Sequence, residues 1–456
     1  MSIKQTSEIS ELFKLGIPAI LAQLSQMALG VIDTMMAGSI DAEALAAIAV
    51  GTNIINPIIV FILGVFLALN PIVAHLNGRG SFEQIGVVFQ QSTLAAFIMA
   101  VPAIYLLHHT ESIMQFIGIQ ETLHQTVSGY LIACSYGVVP LFGFLALRFC
   151  NEGLFSTRAI MIVSVLAIPF NLLFNYWFIW GGLGVPAMGA IGIGYATALV
   201  WSIMFIAMLI YSLCSPRYQH LAIKSRWHAI DWQQLKELLV IGLPMGIGVG
   251  MEIAMFAFIG LMIGRFSVEI IAAHQIAINI ASMAYMIPLG LSIAISARVG
   301  FFAGRNDRPN VQIAAKTGII VAVSIACVSS LAMYLFAQPL IKLYTTENTV
   351  LTIATQLLVL AAIFQLSDAV QVALSGALRG IKDTRIPMVI SAISYWAVGF
   401  PIGYFAAEAL LMSARGYWLG IVAGLTTAAI LLYWRYRVLF IHHSPIVFAK
   451  EHADVP

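Results

Sequence analysis

The sequence predicts an all-α polytopic membrane protein, with twelve transmembrane helices in two parallel-repeat six-helix lobes around a central cavity. Three observations predict it. The 456-residue chain is 61% hydrophobic and 9% charged, with mean hydropathy +0.95, whereas soluble domains carry about 25% charged residues. Apolar stretches of about 20 residues, enough to cross the hydrocarbon core as a helix, recur along the whole chain. The second half also repeats the first at a shift of 226 residues. The apolar runs are continuous and lack the alternation of an outer-membrane barrel strand, so helices are the spanning element.

In order, the first six spans cover approximately Lys14–Gly38, Ala44–Leu76, Gly86–Leu107, Tyr130–Phe149, Ala159–Trp180 and Gly189–Leu213. The second six cover approximately Lys236–Gly264, Ile270–Phe302, Ala314–Phe336, Leu351–Leu378, Ile386–Ala407 and Gly416–Phe440. This division puts nineteen of the 22 Lys and Arg residues on the side of the N-terminus and leaves only Arg265, Lys342 and Arg415 opposite. The positive-inside rule then places both termini in the cytoplasm; the expected location is a cytoplasmic (inner) membrane. An odd number of spans would scramble that asymmetry. The polar start MSIKQTSEIS leads directly into a long span, which argues against a cleaved signal peptide. Cys134, Cys150, Cys214 and Cys327 lack C-x-x-C spacing and read as small packing residues. The net charge of +2 gives no reason to expect nucleic acid as a partner, since topology explains the basic residues.

The repeat sets LGIPAILAQ over IGLPMGIGV without a gap, pairing Gly16 with Gly242, Pro18 with Pro244, Gly38 with Gly264, Asn53 with Asn279 and Arg79 with Arg305. A second echo joins ALRFCNEGLFSTR, from Ala146, to ALRGIKDTR, from Ala377. Both halves begin on the same side, so the repeat is parallel, a plan that suits alternating access by two lobes. The expected organisation is an N-terminal lobe at 1–214, a cytoplasmic linker at 215–235, a C-terminal lobe at 236–440 and a cytoplasmic tail at 441–456. The linker's charges are those of a cytoplasmic connection.

A carboxylate at mid-membrane costs a few kcal/mol, so it faces protein or water and marks function. Three acids lie well inside apolar runs: Asp33, Glu252 and Asp368. The repeat places Ile259, Gln26 and Gly137 opposite them, so none belongs to the shared scaffold. Asn171 and Asn175 follow Pro169 at i and i+4 on one helix face, suited to hydrogen-bonding a carboxylate or offering oxygens to a cation. Glu252 and Asp368 form a second candidate site for Na⁺ or protons, and Asp33 with Asn175 is the alternative place for Na⁺. Weaker candidates are Thr197, His274, Gln26, Tyr285 and Met36, with Met35 and Met255 as further cavity-lining methionines. Aromatic faces and methionines beside acids suit flat organic cations. No H-E-x-x-H motif, paired His/Asp signature or P-loop is present, so the chain does not read as an enzyme.

The run Pro18 to Gly38, the LAA at Leu45–Ala47, AAHQIAIN at Ala272–Asn279, IPLGLSIAISARVG at Ile287–Gly300 and ALRGIKDTR together resemble the MATE family, multidrug and toxic compound extrusion, in its NorM-like branch. The resemblance covers about Lys14 to Arg437. It implies an antiporter exporting cationic organic compounds, such as dyes, drugs and antibiotics, in exchange for Na⁺ or H⁺, with no cofactor beyond that ion. It implies roles for Asp33, Asn171, Asn175, Glu252 and Asp368 in binding and coupling. Relatives of this kind can carry Tyr four residues before the last aspartate, where this chain has Phe364. The expected protein is a monomer in contact with membrane lipids. A lipid-linked oligosaccharide flippase of the same broad superfamily is the alternative; it calls for a cationic cavity, whereas the buried charges read from the sequence are acidic.

Overall fold

The computed structural model describes residues 3–182, 184–221, 223 and 229–442. The tail from residue 443 and the linker positions 222 and 224–228 lie outside the described residues. In the first half the helices are α1 (Ile3–Gly38), α2 (Ala42–Phe66), α3 (Leu69–Arg79), α4 (Phe82–His108), α5 (Thr110–Ile117), α6 (Glu121–Ser135), α7 (Val138–Gly153), α8 (Thr157–Trp180) and α9 (Ala190–Cys214). In the second half they are α10 (Trp232–Ile263), α11 (Val268–Gly304), α12 (Arg308–Leu335), α13 (Ala337–Lys342), α14 (Asn348–Gly380), α15 (Arg385–Ala392), α16 (Phe400–Glu408) and α17 (Ala414–Tyr436). Among the described residues there is no strand, only one bridge between Gly182 and Val185.

Eleven helical stretches among these are long and apolar enough to cross a membrane, and the bent pair α6–α7 makes a twelfth. The expected span at Tyr130–Phe149 is thus a broken one, bent by 48°. Its cause is legible at the break: a Cβ on Gly137 would lie 2.5 Å from the Ala198 Cα, so only glycine lets the elbow rest on α9. Pro140 then falls in the first turn of α7, where a missing N–H leaves no helical bond unmade. The second span is likewise interrupted, at Leu67–Ala68 between α2 and α3. The repeat reappears as structure: a short helix follows the third span of each half, α5 in one and α13 in the other.

By internal packing the chain divides into two compact units, one of Leu21–Gly246 and one of Met1–Ile20 with Ile247–Pro456. The divisions fall inside α1, after Ile20, and inside α10, after Gly246, whereas the sequence marks its boundary at the polar 215–235 connection. In the first unit, that connection is tied to α4. Gln90 Nε2 donates to the Ile223 carbonyl and Gln91 Nε2 to the Ala229 carbonyl, both at 2.9 Å. Tyr218 donates to Asn151 Oδ1 at 2.7 Å, and burial pushes its phenol well above the usual range. Arg148 is fully buried in this unit, donating to Glu152 at 3.0 Å and to Gln23 at 2.7 Å.

The second unit places α17 against the span 385–408 through glycine. A Cβ on Gly416 would stand 2.2 Å from the Ala407 nitrogen, and one on Gly420 2.5 Å from both the Gly399 oxygen and the Gly403 Cα. Gly416, Gly420 and Gly424 fall four apart, as do Gly399 and Gly403, the small-residue spacing that lets membrane helices touch backbone to backbone. Trp418 and Tyr417 fill the core beside them, with Met255, Ile259 and Phe364. The start of α1 is fixed to α11 in the same unit by the pair of buried Glu8 and half-buried Arg298, bidentate at 2.8 and 2.5 Å. Two of the four cysteines, Cys134 and Cys150, are buried as expected of packing residues. Cys214 and Cys327 are exposed instead, because they sit on the outer faces of their helices.

Candidate ion and substrate sites

The first site assembles three helices of the first unit around Asp33. Asp33 lies near the end of α1, and the i, i+4 spacing of α8 stacks Asn171 and Asn175 toward it. Asn175 Nδ2 donates to Asp33 Oδ1 at 2.6 Å and Asn171 Nδ2 to the same oxygen at 3.0 Å. Thr197 on α9 donates to Oδ2 at 3.1 Å. All four side chains are buried, Asn175 completely. Three neutral donors on one carboxylate hold it in a fixed orientation without cancelling its charge, which is the electrostatic requirement of a cation-binding group. Asn175 also reaches Asn171 Oδ1 at 3.3 Å, and its own Oδ1 is buried without a hydrogen-bond partner among the described residues.

The second site lies in the other unit. Glu252 on α10 accepts from Gln371 Nε2 at 3.2 Å, and the same nitrogen donates to the Tyr395 hydroxyl at 2.7 Å. Asp368, one turn before Gln371 on α14, interacts electrostatically with Glu252. Its Oδ1 is buried and has no hydrogen-bond partner among the described residues, as is true of Gln371 Oε1 and of both amide atoms of Gln365. Among these residues no three His, Cys, Asp or Glu side chains gather as a metal site. A Na⁺ ion at either place would therefore rest on one or two carboxylates completed by amide and hydroxyl oxygens, the hard donors suited to it.

Of the weaker candidates, Thr197 joins the first site. Tyr285 lies in the field of both Glu252 and Asp368. Gln26 is not brought to Asp33; its amide meets Met204 Sδ at 4.0 Å. Met36 is half-buried and Met35 is 70% exposed, so neither is enclosed around Asp33. Met255 does not line a cavity but fills the core, touching the space above Gly399 and Gly424. His274 is buried against Trp418, whose Nε1 donates to its Nδ1 at 3.1 Å, and the rings meet edge to face at 5.8 Å. Phe364 packs against Phe256 and Trp418.

Sequence reasoning missed Gln371, Tyr395 and Gln365. The signal for the two glutamines was present, since both lie inside an apolar span three residues either side of Asp368. Tyr395 had none, because nothing in the string distinguishes it from the chain's other fourteen tyrosines. The reading that buried charges are all acidic also needs correcting. Arg148 and Arg379 are buried too, the first closed by Glu152 and Gln23, the second donating to Ser292 at 2.9 Å.

Twelve spans built from a parallel repeat, with ionisable side chains held in the interior of each unit, define a polytopic membrane transporter. The MatE family model matches twice, at residues 18–177 and 244–405, and the two starts are 226 residues apart, as the repeat requires. The chain belongs to the MatE family. It is 38% identical over 455 residues, 99% of each chain, to the multidrug resistance protein MdtK of Yersinia pseudotuberculosis serotype O:1b. It is equally close over 452 residues, 98% of this chain and 99% of the other, to MdtK of Yersinia enterocolitica serotype O:8. Among solved structures, the eukaryotic MATE transporter AtDTX14 superposes with a TM-score of 0.88 at 19% identity, covering 98% of each chain. A Pyrococcus furiosus transporter of the MOP superfamily superposes at 0.86 with 20% identity, covering 94% and 95%; reversed pocket polarity there is said to suggest a different function.

Proposed function

We propose that this chain is a multidrug efflux antiporter that exports organic cations in exchange for Na⁺ or H⁺, and that it is not an enzyme. One observation carries the reading: a buried carboxylate, Asp33, held by Asn171, Asn175 and Thr197 with its charge uncancelled. Relatives 38% identical along the whole length are named for multidrug resistance. A second carboxylate pair, Glu252 and Asp368, supplies a place for the coupling ion. The mechanism is competition: ion uptake at the carboxylates disfavours the organic cation and biases the return to the inward-facing state, since a ligand shifts an equilibrium only through differential affinity. Such a cycle needs no cofactor besides the ion. The basic residues of the connecting segments orient both termini to the cytoplasm of the inner membrane, and the transporter works as a monomer among lipids.

The flippase reading finds less support, because a pyrophosphate needs an open cationic surface and Arg148 is already closed by Glu152. The test uses everted membrane vesicles and a fluorescent cationic dye, with a Na⁺ gradient or a pH gradient imposed in turn. Wild type should move dye under one gradient, and Asp33→Asn, Glu252→Gln and Asp368→Asn should each impair it. Transport unchanged in all three variants would sink the carboxylate mechanism. No dye movement under either gradient would reopen the flippase reading.

A further inference from the structure

The span 385–408 is not uniformly α-helical. It runs as α15, widens into a π-helical turn at Ile393–Gly399, and resumes as α16. Such turns are rare, cost helix stability, and concentrate at functional sites. This one is held from both sides. Gly399, its last residue, closes on Gly420 and Gly424 of α17. Trp396 Nε1 donates to the carbonyl of Met251, the residue before Glu252, at 3.3 Å. Tyr395, beside it and 1% exposed, accepts from Gln371 Nε2 at its hydroxyl oxygen and hydrogen-bonds Glu252 itself. The turn therefore grips α10 at the position of its carboxylate.

The hydrogen-bond inventory is asymmetric. The two hydrogens of Gln371 Nε2 go to Glu252 Oε2 and to the Tyr395 oxygen, which leaves the Tyr395 O–H for the Glu252 carboxylate. Glu252 is thus braced by two donors. Asp368 on α14 keeps a buried oxygen without a hydrogen-bond partner among the described residues, and so do the side-chain amide of Gln365, three residues before it, and Oε1 of Gln371, three residues after it. An unsatisfied buried oxygen is costly, and a cation or proton relieves it. We propose that Tyr395, presented by the π-helical turn and braced by Gln371, is a positioning residue that fixes Glu252, so that Asp368 and Gln365 take up the coupling cation. This rests on the antiport reading only for the purpose of the uptake, not for the uptake itself.

The test therefore reads ion binding without transport. Purified full-length protein in detergent is titrated with NaCl at constant ionic strength against KCl, and separately with pH, following the thermal midpoint. The response is taken as the difference from Asp368→Asn and fitted for the half-saturating concentration, because a bound ligand stabilises the folded state as the logarithm of one plus its concentration over that constant. Tyr395→Phe, which deletes one hydroxyl, should raise the half-saturating concentration of the responsive ion about tenfold, the effect of one lost hydrogen bond to a charged group. Gln371→Leu should do the same, and serves if Tyr395→Phe does not fold. A variant whose baseline midpoint falls while its half-saturation matches wild type shows a merely structural tyrosine and overturns the proposal. A wild-type midpoint indifferent to both ions overturns it as well. Ion titration intact but dye transport absent would remove the efflux reading alone.

Discussion

Asp33→Asn tests the first site with the least disturbance to its frame. The structure allows the amide to be seated in place: its oxygen keeps the donations from Asn171 and Asn175, and its new N–H₂ donates to Thr197 Oγ, whose hydroxyl rotates away. Folding should therefore survive, while the charge is lost. An organic cation about 4 Å from a carboxylate gains roughly 4 kcal/mol at an effective permittivity of about 20. Removing the charge should weaken binding about a thousandfold, at about 1.4 kcal/mol per factor of ten. Fluorescence anisotropy of ethidium titrated with purified protein measures this, with an uncharged lipophilic dye as control. An ethidium affinity within about threefold of wild type, at the full-charge expectation of roughly 4 kcal/mol, would refute the reasoning. So would an equal weakening for the uncharged dye, since that outcome reports a distorted pocket and not a missing charge.

Three further outcomes follow from the packing. Asn175→Ala removes the 2.6 Å bond to Asp33 but leaves Asn171 and Thr197; the same anisotropy titration should show a weakening of about tenfold, the size of one charge-assisted bond. His274→Ala strands the buried Trp418 N–H and should lower stability by about 1–3 kcal/mol, seen in thermal melts, with ion titrations unaltered; a shifted ion response would restore a functional role to the histidine. Gly416→Val would force a side chain into the Ala407 backbone, and should abolish the monodisperse peak in fluorescence size-exclusion chromatography. Gly248→Ala, whose added Cβ meets nothing closer than 3.7 Å, should leave that peak intact.

The twelve spans and the repeat were legible because membranes leave little choice of backbone: length and continuous hydropathy fix a helix before any tertiary contact is known. Asp33, Asn171 and Asn175 were legible for the same reason, since polar atoms in an apolar run must find partners and i, i+4 spacing shows which of them stack. The elbows at Gly137 and Leu67 were hidden, because hydropathy does not register a bend. The π-helical turn was hidden too, and with it Tyr395, whose role depends on where one extra residue per turn aims a ring. The contacts of His274 with Trp418 and the core position of Met255 were hidden, because a sequence cannot say whether a polarisable side chain faces a cavity or a tryptophan.

The five glycines joining the span 385–408 to α17 have a counterpart in mutational tolerance. Gly416 and Gly420 face backbone atoms closer than any real Cβ approaches, and Gly399, Gly403 and Gly424 face theirs at 3.0–3.2 Å, so a saturation scan of this transporter should find there a row of positions intolerant of bulk, the first two as intolerant as the carboxylates. None of the five carries a group that a cation or drug would recognise. Intolerance in such a scan would thus map onto two unlike things, atoms that hold the ion and places where nothing larger than hydrogen fits, and a pair of alanine and serine columns would not tell them apart. The carboxylates should separate from the glycines by one trait: their amide isosteres would still fold.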